Sequence, residues 1–248
     1  MRAIIVDDER LARKELNSLL EDYNDIEIVA EASNADEAAE QIETLKPDVL
    51  FLDIQMPEKT GFELLEMLTT VPKVIFTTAY DDFALKAFEI NAFDYLLKPI
   101  DPKRLEESIK KLTEYFVKEE KGRSEDKAKE TGSDTDKLLG TDQVFVKDGE
   151  KCWFVKLADI RLFESDGNYV KVYFDSFRPL IHRSLNALDE RLDDKMFFRA
   201  SRKYIINLKW IEKIEPWFNG GLMVSLKGGQ KIEISRRQAA KFKDKLSL

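Results

Sequence analysis

The chain has 248 residues, 43% hydrophobic and 35% charged, with a formal net charge of −8 at pH 7. That length suits one large domain or two ordinary ones, and no apolar run approaches the roughly 20 residues of a membrane helix. A single cysteine, Cys152, and a single histidine, His182, exclude an intramolecular disulfide, a cysteine metal cluster and a multi-histidine metal site. The N-terminal apolar stretch is far shorter than a signal peptide and meets acid at once, so the expectation is a cytoplasmic protein without membrane insertion. Cys152 lies in an apolar run and reads as buried and inert.

The charge is uneven. Residues 1–116 carry 13 Lys+Arg against 26 Asp+Glu, whereas residues 140–248 carry 21 against 15. An acidic half joined to a basic half predicts two domains with different partners, the basic one a candidate for polyanions.

In chain order, Arg2-Ala3-Ile4-Ile5-Val6 predicts a buried strand ending at Asp7 and Asp8. Leu11, Leu16, Leu19 and Leu20 then recur at helical spacing. A second strand is expected over 26–32. Asn34 and Glu37 read as a capping pair for a helix carrying Ala38, Ile42 and Leu45, which Pro47 ends. Val49-Leu50-Phe51-Leu52 runs apolar without alternation into Asp53. Such a run predicts a strand covered on both faces, as in a parallel sheet. Gly61 opens a helix with Phe62, Leu65 and Leu68 on one side, and Val74-Ile75-Phe76 is a fourth strand ending at Thr77-Thr78. A fourth helix is expected over 83–90, with Asn91 as its stop. A fifth strand over 94–97 ends at Lys98-Pro99, and Asp101 caps a last helix with Pro102 at its first position. Five strands alternating with five helices imply a doubly wound five-stranded parallel α/β sheet.

Residues 119–139 are nearly devoid of apolar side chains and predict a flexible charged linker, helical at most at its start. From Gln143 the period changes to short β-rich runs punctuated by Asp148-Gly149, Asp166-Gly167, Asn219-Gly220 and Gly228-Gly229. This predicts an all-β domain of hairpins, interrupted by short helices over 185–192 and 237–246. The expected organisation is 1–118, linker 119–139, and 140–248.

In a doubly wound sheet the carboxyl ends of the strands lie along one edge, which would bring together Asp7, Asp8, Asp53, Thr78 and Lys98. One acid at a strand end is ordinarily a turn or cap residue. Three gathered together repel one another, which makes sense around a cation. Hard oxygen ligands with open positions suit Mg²⁺. Lys98 adds a mobile positive charge and Thr78 a hydroxyl donor, so the set reads as a phosphoryl cradle with Asp53 as the carboxylate nucleophile.

Val6-Asp7-Asp8-Glu9, Leu52-Asp53-Ile54-Gln55-Met56-Pro57, Thr77-Thr78-Ala79 and Tyr95-Leu96-Leu97-Lys98-Pro99 resemble the receiver domain of two-component response regulators, a flavodoxin-like fold. The resemblance implies that Asp53 takes a phosphoryl group from a sensor histidine kinase. It implies Mg²⁺ held by Asp8, Asp53 and the main-chain carbonyl of Gln55, with Asp7 acting through water. Thr78 and Tyr95 would form the switch pair, Lys98 would pair with the phosphoryl group, and Lys98-Pro99 resembles the family's cis peptide. A homodimer contact on phosphorylation is implied for the face of the fourth helix, fifth strand and fifth helix.

In the second half, Asn168, Tyr169, Lys171, Arg183, Arg199, Arg202, Lys203, Arg236 and Arg237 are the candidate polyanion contacts. Any one surface cation is ordinarily just solvated. The clusters Arg199-Ala200-Ser201-Arg202-Lys203 and Ser235-Arg236-Arg237-Gln238 argue more strongly, because short segments can track phosphates and reach base edges. Ile160-Arg161-Leu162-Phe163-Glu164-Ser165, Gly167-Asn168-Tyr169-Val170, His182-Arg183-Ser184-Leu185 and the block from Phe197 through Asn207 resemble the LytTR output domain. The series continues through Ile211, Ile214 and Ile234-Ser235-Arg236-Arg237. That family places loops into successive major grooves of repeated sites on double-stranded DNA. It often has histidine where Ser201 stands here.

The expected function is therefore a phosphorylation-controlled transcription regulator, not an enzyme beyond its own phosphorylation and dephosphorylation. An aspartyl-nucleophile phosphatase is the enzymatic alternative, but it commonly needs a second aspartate at the position Gln55 occupies. A protein-binding output domain without a DNA role is the third reading.

Overall fold

The computed structural model describes residues 1–79, 92–126, 137–149 and 151–246, with side chains 120–126 left aside. The helix expected over 83–90 and the Asn91 stop lie outside the described residues. The chain divides into two compact units, Met1–Ser133 and Asp134–Leu248.

In the first unit, β1 (Arg2–Val6), β2 (Glu27–Ala32), β3 (Val49–Asp53), β4 (Lys73–Thr78) and β5 (Asp94–Leu97) form one parallel sheet in the order β2-β1-β3-β4-β5. Every residue of β3 is buried, as its unbroken apolar run requires. Ile5, Phe51 and Ile75 belong to the core beneath α1 (Arg10–Leu20) and the helix Pro102–Asp126, whose Leu105, Ile109 and Leu112 close it. On the other face lie α2 (Ala35–Leu45) and α3 (Gly61–Met67), which pack together, and Phe62 meets Phe76 at 5.3 Å between ring centroids.

The caps follow the sequence closely. Asn34 accepts the Glu37 N–H at 2.9 Å, although the Glu37 carboxylate turns to Ser33 instead of completing a reciprocal box. The reciprocal box forms at α3, between Thr60 and Glu63. Asp101 accepts from the N–H groups of Lys103 and Arg104. Leu11 lies in α1, as its spacing predicts, and is 80% exposed. Leu68, expected within α3, is extended just past its end and is still buried. Leu64 and Leu65 form the buried side of α3, and Phe62 is only half-buried.

The helix Pro102–Asp126 continues into the stretch expected as linker. At the far end of that stretch, Leu138 already belongs to the second unit: it bridges to Leu192 and packs on the core. The second unit is β-rich. Strands β8 (Leu162–Asp166), β9 (Tyr169–Tyr173), β10 (Leu180–Ile181), β11 (Phe197–Arg199) and β12 (Tyr204–Asn207) form an antiparallel sheet in the order β10-β9-β8-β12-β11. Alternate residues feed two cores. Phe163, Val172, Phe197 and Ile205 face one, which includes the hairpin β6 (Gln143–Asp148) and β7 (Lys151–Lys156) and the helix Leu185–Arg191. Leu162, Tyr173, Phe198 and Ile206 face the other, with the sheet of β13 (Ile211–Pro216), β14 (Leu222–Leu226) and β15 (Lys231–Ile234) and the helix Arg236–Leu246. Cys152 is buried and is not part of a disulfide.

Gly61 carries the tightest constraint near the sheet edge. A Cβ there would stand 2.4 Å from the Asp53 carbonyl oxygen, closer than such atoms approach, and that oxygen belongs to backbone. Gly61→Ala should therefore displace β3 from α3 and destabilise the first unit by about 1–3 kcal/mol, the usual cost of overpacking. Unchanged melting of that unit in thermal unfolding would contradict the contact.

Candidate functional site

Strands β1 and β3 are adjacent and parallel, and the strand order reverses beside them, so their carboxyl ends flank the crevice where open α/β sheets bind ligands. Asp7 follows β1 and Asp53 ends β3, and both are buried; Asp8 stands nearer solvent. One carboxylate oxygen from each of the three lies within 4.8 Å of the others. Carboxylates at that separation repel by about 3–4 kcal/mol per pair at an effective protein dielectric of about 20.

Lys98, just after β5, offsets part of this. Its Nζ lies 2.6 Å from Asp53 Oδ2 and 2.5 Å from Asp7 Oδ2. The remaining oxygens accept main-chain donors: Asp53 Oδ1 from Gln55 N–H at 3.1 Å and Asp7 Oδ1 from Glu9 N–H at 2.9 Å. Burial pushes the Asp53 carboxyl above its ordinary value of 3.8, against the pull of Lys98. The three acids offer a hard cation an oxygen donor set, and together with Lys98 they line a cleft of about 490 Å³. Gln55 is exposed in the wall of that cleft.

Thr77 and Ala79 also line the cleft. Between them, Thr78 is 1% exposed, and among the described residues its buried hydroxyl has no hydrogen-bond partner. Tyr95 is half-buried in β5, opposite Phe76. The Lys98-Pro99 peptide is cis.

Two supports escaped the sequence reading. Arg13 on α1 donates to the carbonyl of Asp7 at 2.6 Å and pairs with Glu31 at 3.2 Å, bracing the turn that carries the acids. Asp94, opening β5, is gripped by Arg104, Ser108 and Lys111 from the following helix. Burial would raise the Asp94 carboxyl, but the Arg104 and Ser108 hydrogen bonds hold it below its ordinary range. Both supports join residues whose spacing matches no local period.

In the second unit, Asn168, Tyr169, Arg183, Arg199 and Arg202 converge on a cleft of about 620 Å³ beside the β8–β9 turn. His182 closes it, with its ring 5.5 Å from that of Tyr169. Arg202 is exposed. Arg199 is engaged internally: it donates to the carbonyls of Ser201 at 2.7 Å and Arg202 at 3.0 Å, fixing the turn that presents Arg202. Arg236 and Arg237 are exposed at the start of the last helix, and Gln238 of that helix donates to the Arg199 carbonyl at 3.2 Å.

Two of the expected cations stand apart from the cleft. Lys171 pairs with Asp166 at 2.9 Å and Lys203 with Glu164 at 3.0 Å. Burial would raise Glu164, but hydrogen bonds from Tyr173 and Lys203 hold it low. Burial and the Glu164 hydrogen bond push the Tyr173 phenol up to about 12. Asn207, part of the resemblance, is fully buried and donates to the Ile160 carbonyl at 2.8 Å, so its work is structural.

Comparison with known proteins agrees with both halves. The family model for the response regulator receiver domain matches residues 3–110, and that for the LytTr DNA-binding domain matches residues 150–247. The chain is 35% identical over 251 residues to the sensory transduction protein LytT of Enterococcus faecalis, covering 100% of both. It is 37% identical to an uncharacterized response regulatory protein of Vibrio cholerae, covering 99% of this chain and 98% of that one. Among solved structures, the response regulatory domain of mrkE from Klebsiella pneumoniae is 35% identical with a TM-score of 0.44, covering 48% of this chain and 99% of that one. With a receiver fold at its first site and a LytTR domain after it, the chain belongs to the LytTR family of two-component response regulators.

Proposed function

We propose that this chain takes a phosphoryl group on Asp53 from a sensor histidine kinase and, as a phosphorylation-dependent dimer, binds promoter DNA through its second domain. The observation that carries the reading is the pairing of buried Asp53 with Lys98 beside a buried, unpartnered Thr78 hydroxyl. A carboxylate oxygen of Asp53 attacks phosphorus, the P–N bond of a phosphohistidine breaks, and its electron pair returns to the imidazole. Asp8, Asp53 and the Gln55 carbonyl, with Asp7 through water, would hold Mg²⁺, which supplies neutralising charge to the transferring oxygens. Lys98, now spread over Asp7 and Asp53, shifts its ammonium to the phosphoryl oxygens. Thr78 gains an acceptor for its hydroxyl. The conformer in which that bond forms is selected, and Tyr95 moves with it. The work is done in the cytoplasm, where the kinase's phosphorylated domain and the promoters are both at hand.

In the second domain, Asn168, Tyr169 and Arg202 around the cleft and Arg236 and Arg237 beside it form the DNA face. Arg199 acts by holding Arg202 in place. Lys171 and Lys203 contribute to the field more than to direct contacts, because each is tied to an acid.

Asp53→Asn should abolish phosphate incorporation from acetyl phosphate and Mg²⁺; undiminished labelling would remove Asp53 from its role. In metal-free protein, the Asp53 carboxyl followed by carbon-13 NMR should titrate above 3.8. The neutral form then persists to higher pH than in a free aspartate, and the nucleophile is lost earlier on acidification; a midpoint at or below 3.8 contradicts this. Mg²⁺ at about ten times its dissociation constant should stabilise the first unit by about 1.4 kcal/mol, and Asp8→Ala should erase the response. Equal responses from both proteins would move the ion elsewhere. Arg202→Ala and Arg237→Ala should each weaken DNA binding about tenfold without unfolding the domain. Full binding by both would place the surface on another face.

A further inference from the structure

The β13–β14 turn carries two aromatic rings that serve neither core. Phe218 is 75% exposed and Trp217 39%, and their centroids lie 4.8 Å apart in an edge-to-face pair. The turn has a set shape. Trp217 N–H donates to the Gly221 carbonyl at 2.9 Å, and Gly221 N–H to the Phe218 carbonyl at 3.0 Å. Asn219 and Gly220 take φ of +55° and +79°, which a side chain larger than asparagine rarely tolerates. The rings are therefore held out by backbone geometry and are not left over from loose packing.

Their neighbours are cationic. The helix Arg236–Leu246 packs against this turn, and a Cβ on Gly220 would stand 3.5 Å from Arg236 Cδ. Arg237 is exposed beside it, and Gln238 ties the same helix to Arg199 at the rim of the cleft. Within this one domain the helix Arg236–Leu246 links the two features: Gln238 reaches the Arg199 carbonyl at the cleft, and Arg236 lies against the turn that carries Phe218. Two acids lie in the strands below the tip: Glu215, paired with Lys213 at 2.8 Å, and Glu233, which is exposed opposite Met223.

We infer that the Trp217–Phe218 tip is an apolar contact to duplex DNA, seated against deoxyribose and thymine methyl groups while Arg236 and Arg237 hold the flanking phosphates. The inference rests on the proposed DNA-binding role of this domain and adds a contact that no charge count would find. Charge decides the occupant. The rings stand beside guanidinium groups in a domain with 21 Lys+Arg against 15 Asp+Glu, a balance that favours a polyanion. A DNA groove offers apolar sugar edges and thymine methyls between two rows of phosphate, and phenylalanine suits the methyl.

The test uses the full chain and a duplex selected from random DNA, with affinity measured by fluorescence anisotropy across a salt series. Phe218→Ser should weaken binding about tenfold with the salt slope of the wild type, because no phosphate contact is lost. Phe218→Leu should recover part of the affinity. Arg236→Ala should instead lower the slope by about one phosphate. If Phe218→Ser binds as the wild type does while Arg237→Ala is weak, the inference is overturned and the DNA-binding reading stands. If the wild type selects no duplex at all, that reading fails and takes the tip with it. If Phe218→Ser changes sedimenting mass and leaves DNA affinity intact, the rings contact a second copy of the chain and the inference is again overturned.

Discussion

One ion pair sets the terms for the first domain. Lys98 stands between Asp7 and Asp53, two buried carboxylates brought together because β1 and β3 are neighbours that end at the same edge. A fold under no other demand would separate such groups, since each buried pair of like charges costs several kcal/mol. The arrangement is kept by rigid supports. Gly61 lets α3 press on the carbonyl of Asp53, and Arg13 braces the carbonyl of Asp7. Lys98 moderates the negative charge without cancelling it, because one ammonium faces the carboxylates of Asp7 and Asp53, with Asp8 close by.

Much of this was legible in the residues. An unbroken apolar run ending in Asp53 could only be a strand covered on both faces, and all five of its residues are buried. Once that strand was central, the parallel alternation brought Asp7 and Asp8 to the same edge. What local pattern cannot see is which side of a helix the fold covers. Leu11 keeps helical spacing and yet is exposed. Charged, polar composition likewise fits a linker and a solvated helix equally well, so composition alone does not say how far the helix runs into 119–139, which is to Asp126. Arg13 with Asp7, and Asp94 with Arg104, join positions that only tertiary structure brings together.

The second domain shows how far charge counting goes. The excess of lysine and arginine pointed to a polyanion, but geometry separates the cations by task. Lys171 and Lys203 answer acids on their own sheet, and Arg199 stitches a turn. Arg202, Arg236 and Arg237 remain open to solvent. Basic side chains are thus divided between those that shape the surface and those that can meet a ligand. The family resemblance could not make that division, because both kinds fall within the same motif. Asn207 is the clearest case: it lies at the end of the most specific block and spends its amide on the Ile160 and Ala158 carbonyls.

In the proposed cycle, the size of the switch would follow from groups already in place. A buried hydroxyl without a partner costs about 1–3 kcal/mol. Among the described residues the Thr78 hydroxyl finds no partner, and in the proposed cycle a phosphoryl oxygen would supply one in one conformer only. A difference of 1–3 kcal/mol between two states is about a 5- to 150-fold change in their ratio, the range of ordinary allosteric coupling. Lys98 adds to the same side, because a phosphoryl group carrying more negative charge than a carboxylate draws the ammonium away from Asp7. Neither effect requires a new structural element. In the proposed cycle, an edge that holds a buried donor at Thr78 and a cation shared by two acids is already biased, and the arriving charge would decide which conformer keeps them both.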